Sequence, residues 1–459
     1  MNICTNDVIS TLSSYVLAPS LTSFVLWVLQ GAIHSKTKRL YFLARDGYLM
    51  YRIADIICRK QGLPIACRYL SCSRYSLRIP AFHLEVEEAL EYICRNSIDV
   101  TLTKILKRAA LSKEERKEVI ETLRVSVSEK EVIPYARLSE IREALSKNVL
   151  FMQYMLAHSK EAFPSLQGYL LQEGLLEDTK SALVDSGWVG SMQKSLNQVL
   201  ECLGRKQQLE GYYWGLYELP VGADRNSYHA YYFAPDIGLK EKVYFSNCLF
   251  ESIFSAPHGM TLRYEKRGES YWACYGDVNE GKRVFIGQME EYLSHYVELL
   301  VNIAVKGDEN KTQKKQEKEQ DRYKKMQGFN TAKEEYIWLT QIDFRANKET
   351  TCKLLKCFMG RPSKEEVEVY GNQLFADDVL EDNQQPIAAH LDEKELWANH
   401  VWNKMLVLFG VKKGHIKESA WYEGSVVRAD KHVRYHLWQG VLYKYLLYIR
   451  KMYLWRKHG

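Results

Sequence analysis

The stretch Ser181-Ala-Leu-Val-Asp185-Ser-Gly187-Trp188-Val-Gly190-Ser191-Met-Gln193 constrains the fold more than any other part of the chain. Ala182 to Val184 predict a short buried strand that stops at an acid. Asp185 to Gly190 predict a glycine-punctuated loop, and a helix opens near Ser191. A strand, a loop and a free helix N-terminus in that order make an anion site. Unpaired N–H groups and the positive end of the helix dipole point at the same spot. Gly187 and Gly190 let the backbone approach a phosphate with no Cβ in the way. The expectation is a sugar phosphate held on this loop, with Asp185 on the sugar side.

An earlier segment repeats the pattern. Leu40 to Ala44 is a continuous apolar run suited to a central strand, and it breaks at Arg45-Asp46-Gly47. A helix from about Tyr48 to Lys60 follows, ended by Gly62 and Pro64, and Ile65 to Leu70 reads as the next strand. Strand, loop, helix and strand are the building block of a parallel sheet. An upstream helix is expected from Leu21 to Ile33. Glu85 to about Gly174 reads as mostly helical, with charged runs such as Lys113-Glu-Glu-Arg-Lys117 on solvated faces. Leu209–Tyr217 and Ser227–Phe233 look like further strands, and Met260–Gly276 like a hairpin around Lys266-Arg267-Gly268. From about Gly287 the pattern turns helical, and the polar run Lys306–Lys325 is a solvated helix or a flexible link. The expected architecture is α/β: a catalytic core over 1–278 with a helical insertion at 85–174, then a helical C-terminal region over 279–459.

Composition narrows the partners. A net charge of +6 over 459 residues is mild, so it does not argue for nucleic acid. The ten cysteines include no CxxC pair, which is the usage of a reducing compartment. No basic n-region precedes the first apolar run. Tyr15–Ile33 is interrupted by Pro19, Ser20, Thr22 and Ser23, and Phe24–Leu29 falls far short of the ~20 residues a bilayer requires. A buried helix and a cytoplasmic protein are expected.

In open α/β sheets ligands sit outside the carboxyl ends of strands, so the two polar loops can face one crevice. Arg45 offers a planar fork for phosphate oxygens. Asp46 suits a metal, a hydroxyl or a proton, Asp185 suits ribose hydroxyls, and Ser191 suits a phosphate at the helix start. Equally, Arg45 and Asp46 can form a structural ion pair while Asp185 caps a helix. Nucleotide-binding GxxxxGK[ST] and GxGxxG loops are absent, as are GxSxG and HExxH. Asp185 lacks the second Asp two places on that a haloacid-dehalogenase phosphatase carries. In Leu249–Gly259, Glu251 or His258 can accept a proton, or Pro257-His258-Gly259 is only a turn with a satisfied histidine.

Phe42-Leu-Ala-Arg45-Asp46-Gly47-Tyr48, Val184-Asp185-Ser-Gly187-Trp188-Val-Gly190-Ser191-Met192-Gln193 and Pro257-His258-Gly259 together resemble the glycan phosphoribosyltransferase domain of bacterial ribofuranosyltransferases. Pro362-Ser363-x-Glu365-Glu366 and Trp421-x-Glu423-Gly424-Ser425 are similar to its helical tail. The resemblance implies a phosphoribosyltransferase-like parallel sheet and transfer of a 5-phosphoribosyl group from phosphoribosyl pyrophosphate (PRPP) to a lipid-linked glycan of a surface polysaccharide. It implies Mg²⁺, with Arg45 serving the pyrophosphate and Asp46 as metal ligand or base, His258 being the second choice of base. It gives Asp185 the ribose hydroxyls, and Gly187, Gly190 and Ser191 the 5-phosphate. Gly47, Trp188, Gln193 and Glu251 join the substrate-binding set. Family members normally carry a fused phosphatase domain that removes the 5-phosphate; its motif is absent here, so a separate phosphatase is expected. The competing readings are a sugar-phosphate hydrolase and a non-catalytic phosphate-binding partner in polysaccharide assembly. Aromatics in Tyr212-Tyr-Trp214 fit a core better than a sugar platform. The basic, aromatic segment 432–457 either lies on an anionic membrane or docks on the core with snorkelling Lys and Arg.

Overall fold

Apolar runs ending at Leu43 and Val184 can bury both faces only inside a parallel sheet layered by helices. The computed structural model, which describes residues 3–96, 100–323, 337–340, 342–375, 385–409, 411 and 416–458, has that arrangement. Strands β1 (Arg39–Leu43), β2 (Ala66–Leu70), β3 (Ser181–Trp188), β4 (Glu210–Leu216) and β5 (Tyr228–Phe233) form one sheet. Their order is β2-β1-β3-β4-β5 and every neighbouring pair is parallel. Along β1 the side chains alternate between two cores. Leu40 and Phe42 pack with the helices Ala18–His34 and Gly47–Gln61, whereas Tyr41 and Leu43 pack with Val149–Gln172 and Ser191–Cys202. The chain leaves β1 toward β2 on one side and returns to β3 on the other. The crevice of such a sheet therefore opens between β1 and β3.

The helix Gly47–Gln61 buries Leu49, Ile53, Ile56 and Ile57 and ends at Gly62, whose φ of 61° and N–H to the Cys58 carbonyl make a left-handed cap. Two boundaries differ from expectation. The N-terminal helix begins well before Leu21: Ile3–Leu12, the π-helical turn Ser13–Leu17 and Ala18–His34 follow one another without a break, and Pro19 lies just after the π turn, where the regular hydrogen-bond ladder is already interrupted. Asn6–His34 is thereby long and apolar enough to cross a membrane, yet 67% of its apolar window is buried within the protein. The second difference is β3, which runs on to Trp188 where a loop was expected after Val184. β4 supplies the reason: Asp185, Gly187 and Trp188 pair with Tyr213, Gly215 and Leu216.

Between β2 and β3 lie short helices and the long Val149–Gln172, with a core of their own that runs from Ile79 to Met155. Lys113–Thr122 is one of those helices, opened by a Ser112/Glu115 capping box. The hairpin β6 (Thr261–Arg267) and β7 (Ser270–Tyr275) turns at Gly268, with φ 62°. Beyond residue 279 the helices are built onto the sheet's own helix layer: Phe285, Leu355, Phe358, Tyr370 and Trp421 share one core with Leu21 and Phe24. The tail motifs serve that packing. Ser363 caps Lys364–Tyr370, and the fully buried Trp421 donates to the Met359 carbonyl at 2.8 Å. Most of the polar run Lys306–Lys325 continues the helix Glu280–Tyr323; Lys324 and Lys325 lie outside the described residues.

Candidate functional site

A cleft of ≈ 210 Å³ opens where β1, β2 and β3 end, walled by Arg45, Asp46, Ser73, Arg74, Asp185 and Ser186 among others. Register makes the two polar segments neighbours. Phe42 pairs with Val184, so Arg45-Asp46, just past β1, lies beside Asp185-Ser186, where β3 runs on with β4 alone. The Ser186 hydroxyl donates to the Asp46 carboxylate across this junction. The Ala44–Arg45 peptide bond is cis. Glu251, on the helix Asn247–Ile253, completes the floor and accepts from the Trp188 indole N–H. Trp188 holds φ 69°, rare for a bulky residue, and its ring is packed by Phe245 at 5.4 Å and Phe250 at 5.8 Å. Ser191 begins the helix Ser191–Cys202 at the cleft wall, and no side chain caps that helix start.

Three carboxylates thus face one another, and their electrostatics follow. Burial pushes Asp185 up to about 8, and the Asp46 carboxylate pushes the same way, against backbone N–H donors from Ser186 and Gly187. Burial and Asp46 push Glu251 up to about 7, opposed by the Trp188 N–H, Arg74 and Arg45. Asp46 is also raised by burial, which outweighs the Ser186 hydrogen bond and the attraction of Arg45, Lys282 and Arg74. Lys282, in the first turn of Glu280–Tyr323, is pushed down to about 8 by burial and by Arg45. Three acids therefore share the cleft with cations, and Asp185 and Glu251 can take or release protons near neutral pH.

The carboxylates fit a hard divalent cation, since mutual repulsion is what such an ion relieves. Among the described residues no group of three or more His, Cys, Asp and Glu side chains converges on one metal position. Mg²⁺ commonly takes only one or two carboxylates and completes its shell with waters and substrate phosphates.

Several expected site residues have other work. Gly187, at φ 107°, lets β4 approach: a Cβ there would meet the Gly215 carbonyl oxygen at 2.4 Å. Gly190, at φ 70°, makes room for the Tyr228 ring, 2.7 Å from where a Cβ would sit. Gly47 is buried against the backbone of Phe42. Gln193 is 1% exposed and clamps the sheet to its helix. Its amide donates to the Leu209 carbonyl at 3.0 Å and to Ser227, while its carbonyl accepts from Tyr213 at 2.7 Å. Gln193→Ala is expected to cost about 2–4 kcal/mol in urea denaturation and to leave any ligand affinity of the folded fraction unchanged. His258 has both ring nitrogens inside the protein, on the Tyr69 hydroxyl and the Gly259 carbonyl at 2.8 Å each. Burial lowers its pKa, with Arg45 pushing the same way.

Sequence reasoning missed Ser73, Arg74, Arg95, Ser186 and Lys282. The first two were within reach, because the strand-end rule that marked Arg45 and Asp185 also marks the residues after β2. Arg95 and Lys282 come from a helix end and a helix start far along the chain, and no local pattern signals them. The chain matches no protein-family model and no curated protein, so the resemblance rests on the motif residues themselves.

Proposed function

We propose that the chain transfers a 5-phosphoribosyl group from PRPP to a hydroxyl of a glycan acceptor, as a step in surface-polysaccharide assembly on the cytoplasmic side of the membrane. The observation that carries the reading is that Asp46, Asp185 and Glu251 share the β1/β3 crevice with Arg45, Arg74 and Arg95, with Lys282 near enough to act on Asp46 and Glu251. Transfer breaks the ribose C1–O bond to pyrophosphate, which leaves with the electron pair. The acceptor oxygen bonds to C1, and its proton must go to a base.

Each demand has a residue. Arg45, Arg74, Arg95 and Lys282 supply positive charge for the pyrophosphate and the 5-phosphate. Asp185 orients ribose hydroxyls. Glu251, steadied by Trp188 and titrating at about 7, takes the acceptor proton. The strained backbone at Trp188 fits a residue that fixes a base. Mg²⁺, held by Asp46 with Asp185, would neutralise charge on the departing pyrophosphate. The product keeps its 5-phosphate, so a separate phosphatase is required for a ribofuranosyl product.

The test mixes purified protein with PRPP, Mg²⁺ and glycan acceptors and measures both pyrophosphate and inorganic phosphate. Pyrophosphate should appear only with acceptor, and Glu251→Gln should lower kcat about 10²–10⁴-fold with little change in the KM for PRPP. Inorganic phosphate released without acceptor would make the chain a hydrolase. PRPP binding with no turnover would make it a phosphate-binding partner, and either result ends the transferase reading.

A further inference from the structure

The helix Val433–His458 carries Arg434, Lys444, Arg450, Lys451, Arg456 and Lys457 and not one Asp or Glu. Its inner side is docked: Lys444 pairs with the buried Glu423 at 2.7 Å, and Tyr448 stacks on Tyr217 with ring centres 5.5 Å apart. Its outer side is bare. Leu446, Ile449 and Tyr453 recur at i, i+3 and i+7 and are 40%, 51% and 64% exposed. The helix Val401–Leu408 packs against it, also without an acid, and presents Trp402, Leu406 and, just past its end, Phe409 at 78%, 40% and 60% exposure. The Arg450 guanidinium lies 5.7 Å from the centre of the Phe409 ring and joins the two stripes. Single exposed apolar residues need no explanation, but two stripes of three on adjoining helices do.

We infer that these two helices form a docking face for an anionic lipid bilayer. Charge decides between occupants. A second copy of the same face would bring Arg450 and Lys457, which flank the bare stripe, against their own likes, whereas anionic headgroups complement them. The mixture of Trp, Tyr and aliphatic side chains with Lys and Arg suits the headgroup level, where rings bury and cations reach phosphates. The docked side also leads to the cleft. Tyr217 follows β4 and lies 6.1 Å, ring to ring, from Trp188, which holds Glu251. If the transferase reading holds, the face would bring that cleft to where a lipid-linked acceptor resides; lipid binding itself does not depend on that reading.

The full-length protein, without substrate, is floated with vesicles of phosphatidylglycerol and phosphatidylethanolamine and, separately, of phosphatidylcholine. It should rise with the anionic vesicles and stay behind with phosphatidylcholine. Ile449→Glu combined with Tyr453→Glu should lower the bound fraction ~10-fold, and Trp402→Ser on the other helix should weaken it independently, both at unchanged melting temperature. Equal flotation with both vesicle types, or variants that float like the parent, would overturn the inference. So would light scattering that shows a dimer dissolved by the same substitutions, because the face would then be covered by a second copy.

Discussion

Asp185→Asn should lower transfer about 10²–10³-fold while making the protein more stable at pH 8. The two effects have one origin. The folded state raises Asp185 from its ordinary 3.8 to about 8, through burial first and Asp46 second. Between those values the folded protein binds a proton that the unfolded chain has released. The associated stability is complete below about pH 4 and is lost as the pH rises toward 8. Asn has the same shape and never ionises, so the variant escapes the loss. With one pKa unit worth ~1.4 kcal/mol, the rise from 3.8 to about 8 sets a ceiling of roughly 6 kcal/mol, and a gain of several kcal/mol at pH 8 is expected. Melting curves of parent and variant at pH 5, 6.5 and 8 should diverge progressively with pH. Mg²⁺ should stabilise the parent more at pH 8 than at pH 5 and stabilise the variant little, which reports on the carboxylates without any activity assay. A difference independent of pH, or a variant less stable at pH 8, would mean that Asp185 is held as a carboxylate by a cation and that the acid cluster is misread.

Gly187→Ala is expected to cost more than about 3 kcal/mol and to leave little soluble protein. Two terms add. At φ 107° any L side chain is strained, and the new Cβ would sit 2.4 Å from the Gly215 carbonyl oxygen, a backbone atom fixed in the middle of the sheet. Gly204 separates the terms. Its φ is 94°, but nothing lies within 4 Å of where its Cβ would be, so Gly204→Ala carries the conformational penalty of about 1–2 kcal/mol and no clash. A glycine reserved for a phosphate would behave otherwise: Gly187→Ala would then fold with a normal melting temperature and lose only PRPP affinity. Comparison of the two variants by thermal melting and PRPP binding decides between strand packing and ligand approach.

Local pattern made the strands, the helix Gly47–Gln61 and the hairpin at Gly268 legible, because each is set by side-chain period and turn chemistry within a few residues. The acids Asp46 and Asp185 were legible as polar residues after apolar runs, although β3 carries on past Asp185 to Trp188. The glycine-punctuated run after Val184 was misread as loop, because a strand continues as long as its neighbour offers hydrogen bonds, and β4 does so through Leu216. Gln193 was misplaced likewise. An amide one turn into a helix looks available until Leu209, Ser227 and Tyr213, all distant in sequence, close around it.

From its order of residues, then, this chain already dictated a parallel α/β core, two acid-bearing polar segments after apolar runs and a basic, acid-free C-terminal helix, since periodicity and composition act locally. Only tertiary packing decided that those segments share one crevice, that Arg74 and Glu251 reach it from separate helices with Lys282 nearby, and which apolar side chains on 401–409 and 433–458 stay bare. Convergence and exposure are properties of elements packed against one another, and no window of the sequence contains both partners.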